Sequence, residues 1–278
     1  YTLPFETIGK LTKIAKDIVT EINALEHSLA LNTSVVEIAN NIVDLKAQIE
    51  ALRERRISLQ NLILKANYQQ IDQIDSAINA LKNIRKLNMK PSVALEKWTN
   101  IALNIINDAL LIKPNSPLGD DNEPIFTAPA GVPDIECFYD GFGAICEVTM
   151  LTGRDQWFNE GQPVMRHLRD FENQNRSMQN YCLFVAPSLH QDTMNTFWNA
   201  VKYEYQGSKQ KIIPLTITQL IDILCGIRLA KVNHRKVTKD DMKSLYESCT
   251  QLCSIPDSTQ WSQYVTKQIM LWRQKVVA

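Results

Sequence analysis

A mixed β-sheet flanked by helices and preceded by a large N-terminal helical bundle is the architecture this sequence predicts, an α+β or α/β chain. Three observations predict it. Apolar residues recur at three- and four-residue spacing through residues 1–112. Residues 133–149 carry the period-2 alternation and central Asp-Gly pair of a β-hairpin. Helix and strand patterns then alternate, as expected for a sheet with helices packed on it. The expected division is 1–90 for the helical part and 91–278 for the sheet-bearing core with its C-terminal helices.

The elements follow in order. Ile14, Ile18, Ile22, Leu25 and Leu29 mark a first helix. Val35, Ile38, Ile42, Leu45, Ile49, Leu52 and Leu59 mark a second, entered by Asn32-Thr33-Ser34 as a cap. Its repeat suits a helix of a packed bundle or a short coiled coil, and the bundle is favoured. A third runs from about Gln69, and Pro91 opens a fourth whose core face is Trp98, Ile101, Ala102, Ile105 and Ala109. Lys113 to Val132, with Pro114, Pro117, Gly119, Pro124, Pro129 and Gly131, is expected to be a loop. The hairpin comes next, then a helix over 160–178, a strand over 181–186, a helix over 191–205 and a strand over 212–216. Three helices close the chain at about 218–230, 239–253 and 258–275.

Composition narrows the functional classes. A hydrophobic fraction of 45% and a charged fraction of 22% belong to a chain that buries an ordinary core. The formal net charge of zero argues against a domain that holds DNA mainly by bulk electrostatics. The six cysteines form no Cys-x-x-Cys pair, so buried free thiols are expected rather than a zinc site. No apolar run is long enough to span a membrane. A bacterial cytoplasmic location is expected.

The hairpin carries the chemistry. Alternation sets Asp134, Glu136 and Phe138 on one side of its first strand, and Ile145, Glu147 and Thr149 on one side of the second. Asp140-Gly141 is the dipeptide of a type I′ turn. With that turn Asp134 lies opposite Glu147 on a shared face, and a turn at Gly141-Phe142 would pair Asp134 with Thr149 and keep that face. Opposed carboxylates repel unless a cation sits between them, and oxygen-only ligands suit a hard ion such as Mg²⁺. The carbonyl of Val148 is a candidate third oxygen. The competing reading is an exposed hairpin face that happens to carry two acids.

The Pro133-Asp134 pair followed by Glu147-Val148-Thr149 resembles the Pro-Asp…(Asp/Glu)-x-Lys nuclease motif, with Thr149 where the motif has Lys. The wider block is Phe126 to Asp134, Glu147-Val148-Thr149, Thr152-Gly153-Arg154 and Glu160 to Phe171. It is similar to the AlwI-type family of Type IIS restriction endonucleases, the PleI/MlyI and BstNBI enzymes and their nicking relatives above all. The likeness is dense over residues 91–187. It implies a PD-(D/E)XK nuclease-like fold and a cleavage domain that hydrolyses one strand of duplex DNA to 5′-phosphate and 3′-hydroxyl. One or two Mg²⁺ ions would be held by Asp134, Glu147, Val148 and Glu160.

Further roles follow, those of Glu160 and Glu96 from the same resemblance and those of His167 and three arginines from their positions near the hairpin acids in the sequence. Glu160 would make up for the missing Lys, since Thr149 can only donate or accept a hydrogen bond; alone, Glu160 suits the start of a helix. His167, seven residues on, would contact the scissile phosphate or shuttle a proton, or else be a partly buried hydrogen-bonded imidazole. Glu96 would reach the site from the fourth helix, though its polar row also suits a solvated face. Arg154, Arg166 and Arg169 are possible phosphate contacts or ordinary surface charges. The chain begins at Tyr1 and is read as a fragment, with a DNA-recognition domain expected upstream. A smaller nuclease subunit or a transient dimer would supply the second cut. The alternatives are a non-catalytic helical interaction module and a structure-specific, junction-type nuclease on the same fold.

Overall fold

A computed structural model describes residues 7–31, 36–106, 108–117 and 124–278. It falls into two compact units, residues 1–67 and 68–278.

The first unit is built on two helices, α1 (Ile8–Ser28) and α2 (Ile42–Tyr68). Leu11, Ala15, Ile18 and Ile22 of α1 bury against Leu45, Ile49, Leu52 and Leu59 of α2. The i, i+3, i+4, i+7 spacing places each set on one helical stripe. The buried carboxylate of Glu26 is paired with Arg55 across the two helices. The expected cap at Asn32-Thr33-Ser34, with Val35, lies outside the described residues. Residues 36–41 are not helical, and Ile38 packs on the core from an irregular segment. The helix begins later because Asn41 caps it, its Oδ1 accepting from the Asp44 amide at 2.9 Å. Gln48 reaches back to hold the preceding chain, accepting from the Ala39 amide and donating to the Glu37 carbonyl.

The second unit holds the sheet. Its elements are α3 (Ile71–Lys82), α4 (Pro91–Ile106), β1 (Leu111–Pro114), β2 (Ile135–Tyr139), β3 (Phe142–Val148), α5 (Gly153–Gln174), β4 (Gln179–Ala186), α6 (Gln191–Lys202), β5 (Ile212–Thr216), α7 (Ile217–Val232), α8 (Lys239–Thr250) and α9 (Ser258–Val277). The five strands lie in sequence order. The first three pair antiparallel, while β3–β4 and β4–β5 are parallel pairs bridged by α5 and α6. β3 and β4 are buried along nearly their whole length, as parallel strands covered on both faces are.

Three details depart from the sequence pattern. β1 falls across the expected end of the helical part at residue 112 and the start of the expected loop at Lys113, pairing Leu111 with Phe138 and Pro114 with Ile135. Four residues ending in Pro at a sheet edge give too short an alternation to see, and an edge is where a strand tolerates Pro. The hairpin turn is Asp140-Gly141, but only Gly141 has positive φ, at 92°. A type I′ turn needs both. Last, α5 starts at Gly153 rather than near 160 and carries Pro163 inside it. Glu160 is therefore two turns into the helix, not at its start. The strand over 212–216 falls as expected, and the helices after it within a few residues.

Candidate active site

The register of the hairpin decides the geometry. Ile135 pairs with Cys146, so the next residues outward are Asp134 and Glu147. Asp134 sits in the bend just before β2, where Pro133 ends the incoming loop, and its Oδ2 accepts from the Val148 amide at 2.7 Å. Glu147 accepts in return from the Asp134 backbone amide. The two acids are thus laced across the strand ends by backbone donors. Glu147 is 5% exposed, which removes the reading of an open hairpin face.

Two helices add to this pair. Glu96 of α4 is 3% exposed, and its Oε2 accepts from Ser116 Oγ at 2.9 Å and from the Ala128 amide at 3.1 Å. The bland expectation for Glu96, a solvated face, does not hold. Glu160 projects from α5, and the Thr149 hydroxyl lies in hydrogen-bond contact with its carboxylate. His167, two turns further, brings Nδ1 to 2.8 Å from Glu147 Oε1, while its Nε2 is buried without a partner among the described residues. Seven residues span nearly two turns, so Glu160 and His167 share a face of α5.

Four carboxylates, Glu96 and Glu147 buried and Asp134 and Glu160 half-buried, perturb one another. Burial, then the charges of Glu147, Glu96 and Glu160, push Asp134 up to about 9. Glu147 is raised well above the usual carboxylate range by burial and by Glu160 and Glu96. Burial raises Glu160 and Glu96 as well. Burial lowers His167, helped by the neighbouring Arg166. In the hydrogen bond between His167 and Glu147 both partners are therefore biased towards their neutral forms. Among the described residues no three His, Cys, Asp or Glu side chains form a ready-made metal cage.

The three arginines separate. Arg169 turns away from the acids, donating to Ser208 Oγ at 2.7 Å and to the carbonyls of Tyr205 and Ser208, and it pairs with Glu172 at 2.6 Å. It anchors the turn before β5. Arg154 and Arg166 are exposed on α5. Cys137, Cys146, Cys182 and Cys249 are buried free thiols, while Cys253 is exposed.

Two contributors left no mark in the sequence. Ser116 supports Glu96 from beyond the end of β1. Gln156, fully buried, donates to the Leu151 and Ser188 carbonyls and accepts from the His190 amide. It clasps the turn after Thr149 to the turn after β4. A buried Gln in a helix has no pattern that announces such a role.

Among the described residues no helix is long and apolar enough to cross a membrane. No curated protein matches this chain. Among solved structures it resembles the small subunit of the heterodimeric restriction endonuclease R.BspD6I. The TM-score is 0.59 at 20% identity, over 71% of this chain and 98% of that one. At that identity the likeness speaks for the fold: a five-stranded mixed sheet flanked by helices, the arrangement of a restriction endonuclease subunit. The family model for the AlwI restriction endonuclease matches residues 2–223, and by that match the chain belongs to the AlwI restriction endonuclease family.

Proposed function

We propose that this chain is a metal-dependent endonuclease domain of Type IIS character, cutting one strand of duplex DNA at the acid cluster on the ends of β2 and β3. One observation carries the reading. Asp134, Glu147, Glu160 and Glu96 converge at the strand ends, and burial, then the charges of the other three acids, pushes Asp134 up to about 9. A fold stores such repulsion where a cation is to be bound.

The donor set fits a hard ion. Mg²⁺ is commonly held by one or two carboxylates and keeps several waters, so it needs no cage of three protein side chains. Asp134 and Glu147 would hold it, with the Val148 carbonyl as a further oxygen and Glu160 available to a second ion. Bound there, the ion would polarise the phosphoryl oxygen and lower the pKa of a water. The chain's own residues do the rest. The Val148 amide fixes Asp134, and the hydrogen bond with His167 Nδ1 fixes Glu147. The Thr149 hydroxyl accepts from the Leu151 amide at 3.1 Å and lies against Glu160, which would orient the water in place of the absent Lys. Ser116 and the Ala128 amide hold Glu96 beside the group. Hydrolysis would leave 5′-phosphate and 3′-hydroxyl.

One such site cuts one strand. Nicking is therefore the intrinsic activity of the chain, and a double-strand break needs a second site from another subunit. With zero net charge, tight site-specific binding would come from a separate recognition domain.

The test is conversion of supercoiled plasmid to open circle by the 278-residue chain at low salt. The expected result is nicking with Mg²⁺ and none in EDTA. Equal nicking in EDTA would overturn metal dependence. Wild-type nicking by Asp134→Asn would overturn the site.

A further inference from the structure

Gln156 and Glu160 stand four residues apart on α5, so their side chains leave the same face of the helix. Glu160 belongs to the acid cluster. Gln156 is uncharged and fully buried. Its Nε2 donates to the Leu151 carbonyl at 2.9 Å and to the Ser188 carbonyl at 2.7 Å. Its Oε1 accepts from the His190 amide at 2.8 Å. Both amide hydrogens are thus used, and no buried donor is left unpaired.

The Leu151 end of this clasp leads back to Glu160. The Leu151 amide donates to Thr149 Oγ1 at 3.1 Å, and the Thr149 hydroxyl contacts the Glu160 carboxylate. A hydroxyl carries a single proton and two lone pairs. With a lone pair of Oγ1 taken by the Leu151 amide, the proton is left for Glu160. Holding the Leu151 carbonyl fixes the backbone that aims the Leu151 amide. The Thr149 amide donates to the Val185 carbonyl at 3.0 Å, which ties the start of the same turn to β4. The contacts therefore run from Gln156 through Leu151 and Thr149 to Glu160, and α5 closes them into a circuit.

We propose that Gln156 is a positioning residue for the cleavage reaction, holding Thr149 in the rotamer that fixes the Glu160 carboxylate. This rests on the nuclease reading, in which Glu160 orients the attacking water. A Lys at position 149 would hold a carboxylate by charge from a range of positions. A hydroxyl holds it only from the right staggered well of χ1, so Thr149 needs a brace that Lys would not. Gln156 supplies that brace from the helix that carries Glu160, and the acid and its support keep a fixed spacing. The demand is steep, because a misplacement of about 1 Å in a reacting group costs about a hundredfold in rate.

Gln156→Met keeps the length of the side chain and removes its hydrogen bonds. Gln156→Asn keeps the amide but withdraws it by one methylene, a milder change should the first variant fail to fold. Each is expected to lower kcat for plasmid nicking about ten- to a hundredfold, with KM within about twofold of wild type. In a Glu160→Gln background the same change should cost less than about twofold, because its effect passes through Glu160. A Gln156 that only stabilises the fold would cost as much in either background. Gln210, also buried, donates to the Met165 carbonyl of α5 at 2.7 Å and serves as the control. Gln210→Met should lower Tm without changing the Thr149 rotamer. That rotamer is read on the 278-residue chain without DNA or metal, from the three-bond couplings of the Thr149 methyl carbon to its backbone nitrogen and carbonyl carbon. A single rotamer is expected in the wild-type chain and in Gln210→Met, and rotamer averaging in both Gln156 variants. Unchanged Thr149 couplings in the Gln156 variants, or a Gln156 cost undiminished by Glu160→Gln, overturns the proposal. A wild-type chain that does not nick with Mg²⁺ overturns the nuclease reading instead, and the couplings still decide whether Gln156 holds Thr149.

Discussion

The two ends of one hairpin hold an Asp each, and the fold treats them oppositely. Asp140, at the turn, is exposed, and Lys239 lies 2.5 Å away; that partner holds its carboxyl below the usual range. Asp134, at the open end, is half-buried among three more carboxylates, and desolvation with their charges pushes it up to about 9. The turn end resembles a stabilised surface, with its charge neutralised at once. The open end is left uncompensated although Arg166 and Arg154 lie on the adjacent helix. The difference teaches that the repulsion is a property of the site rather than of a careless surface, because the same chain pairs its acids readily elsewhere.

The largest expected effect separates the two ends outright. Asp134→Asn should cost at least about a thousandfold in nicking rate, since a metal's charge stabilisation is worth several kcal/mol. Asp140→Asn should nick at the wild-type rate. Equal activity of the two variants in a plasmid assay would erase the functional contrast.

Glu160→Gln keeps the shape and removes the charge that Thr149 contacts. A loss of about ten- to a hundredfold in nicking is expected, on the scale of residues that orient a reacting water, with an unchanged circular dichroism spectrum. Wild-type cutting would reduce Glu160 to a helix residue.

The pH dependence of stability sharpens the contrast without any DNA. Asp ionises near 3.9 in the unfolded chain, whereas Asp134 in the fold keeps its proton up to about 9. Between those values the unfolded state binds fewer protons, so metal-free stability should fall as pH rises from about 4 to about 9. Asp134→Asn should flatten that fall and raise the metal-free Tm at pH 8, at about 2–4 °C per kcal/mol for a domain of this size. Asp140 has the opposite sign. Its lowered carboxyl contributes above the unfolded pKa, and that contribution is lost as pH drops through it. Mg²⁺ should bind more tightly at higher pH and release protons on binding, which calorimetry in two buffers of different ionisation enthalpy would read. A metal-free Tm that rises from pH 5 to pH 8 would contradict the account.

The smallest effect concerns volume rather than charge. Near the turn, a Cβ added to Gly143 would meet Asn180 Oδ1 at 2.7 Å and the Phe171 ring at 2.8 Å. Gly143→Ala should therefore destabilise by about 1–3 kcal/mol, the usual cost of overpacking, while Mg²⁺ affinity stays unchanged. A shift in metal affinity instead would mean that the two ends of the hairpin are coupled.

Local pattern was enough to locate the hairpin, the helices and the two parallel-paired strands β4 and β5 of the second unit, and to place Asp134 and Glu147 on one face. Any two-residue turn with a period of two keeps the two acids on one face, and the turn at Asp140-Gly141 sets them opposite each other. It was also enough to mark where Thr149 stands in place of Lys. Periodicity could not find β1, whose four residues make sense only as an edge pairing to β2, nor the early start of α5 ahead of Pro163. It could not choose between a solvated and a buried Glu96, because Ser116 and the Ala128 amide approach it from distant sequence. Nor could it foresee that His167 would sit on Glu147. Strand register and helix phase are set by residues near one another in the chain. The pKa of an acid, and the company it keeps, depend on burial and on charges brought from α4 and α5, and only tertiary packing decides those.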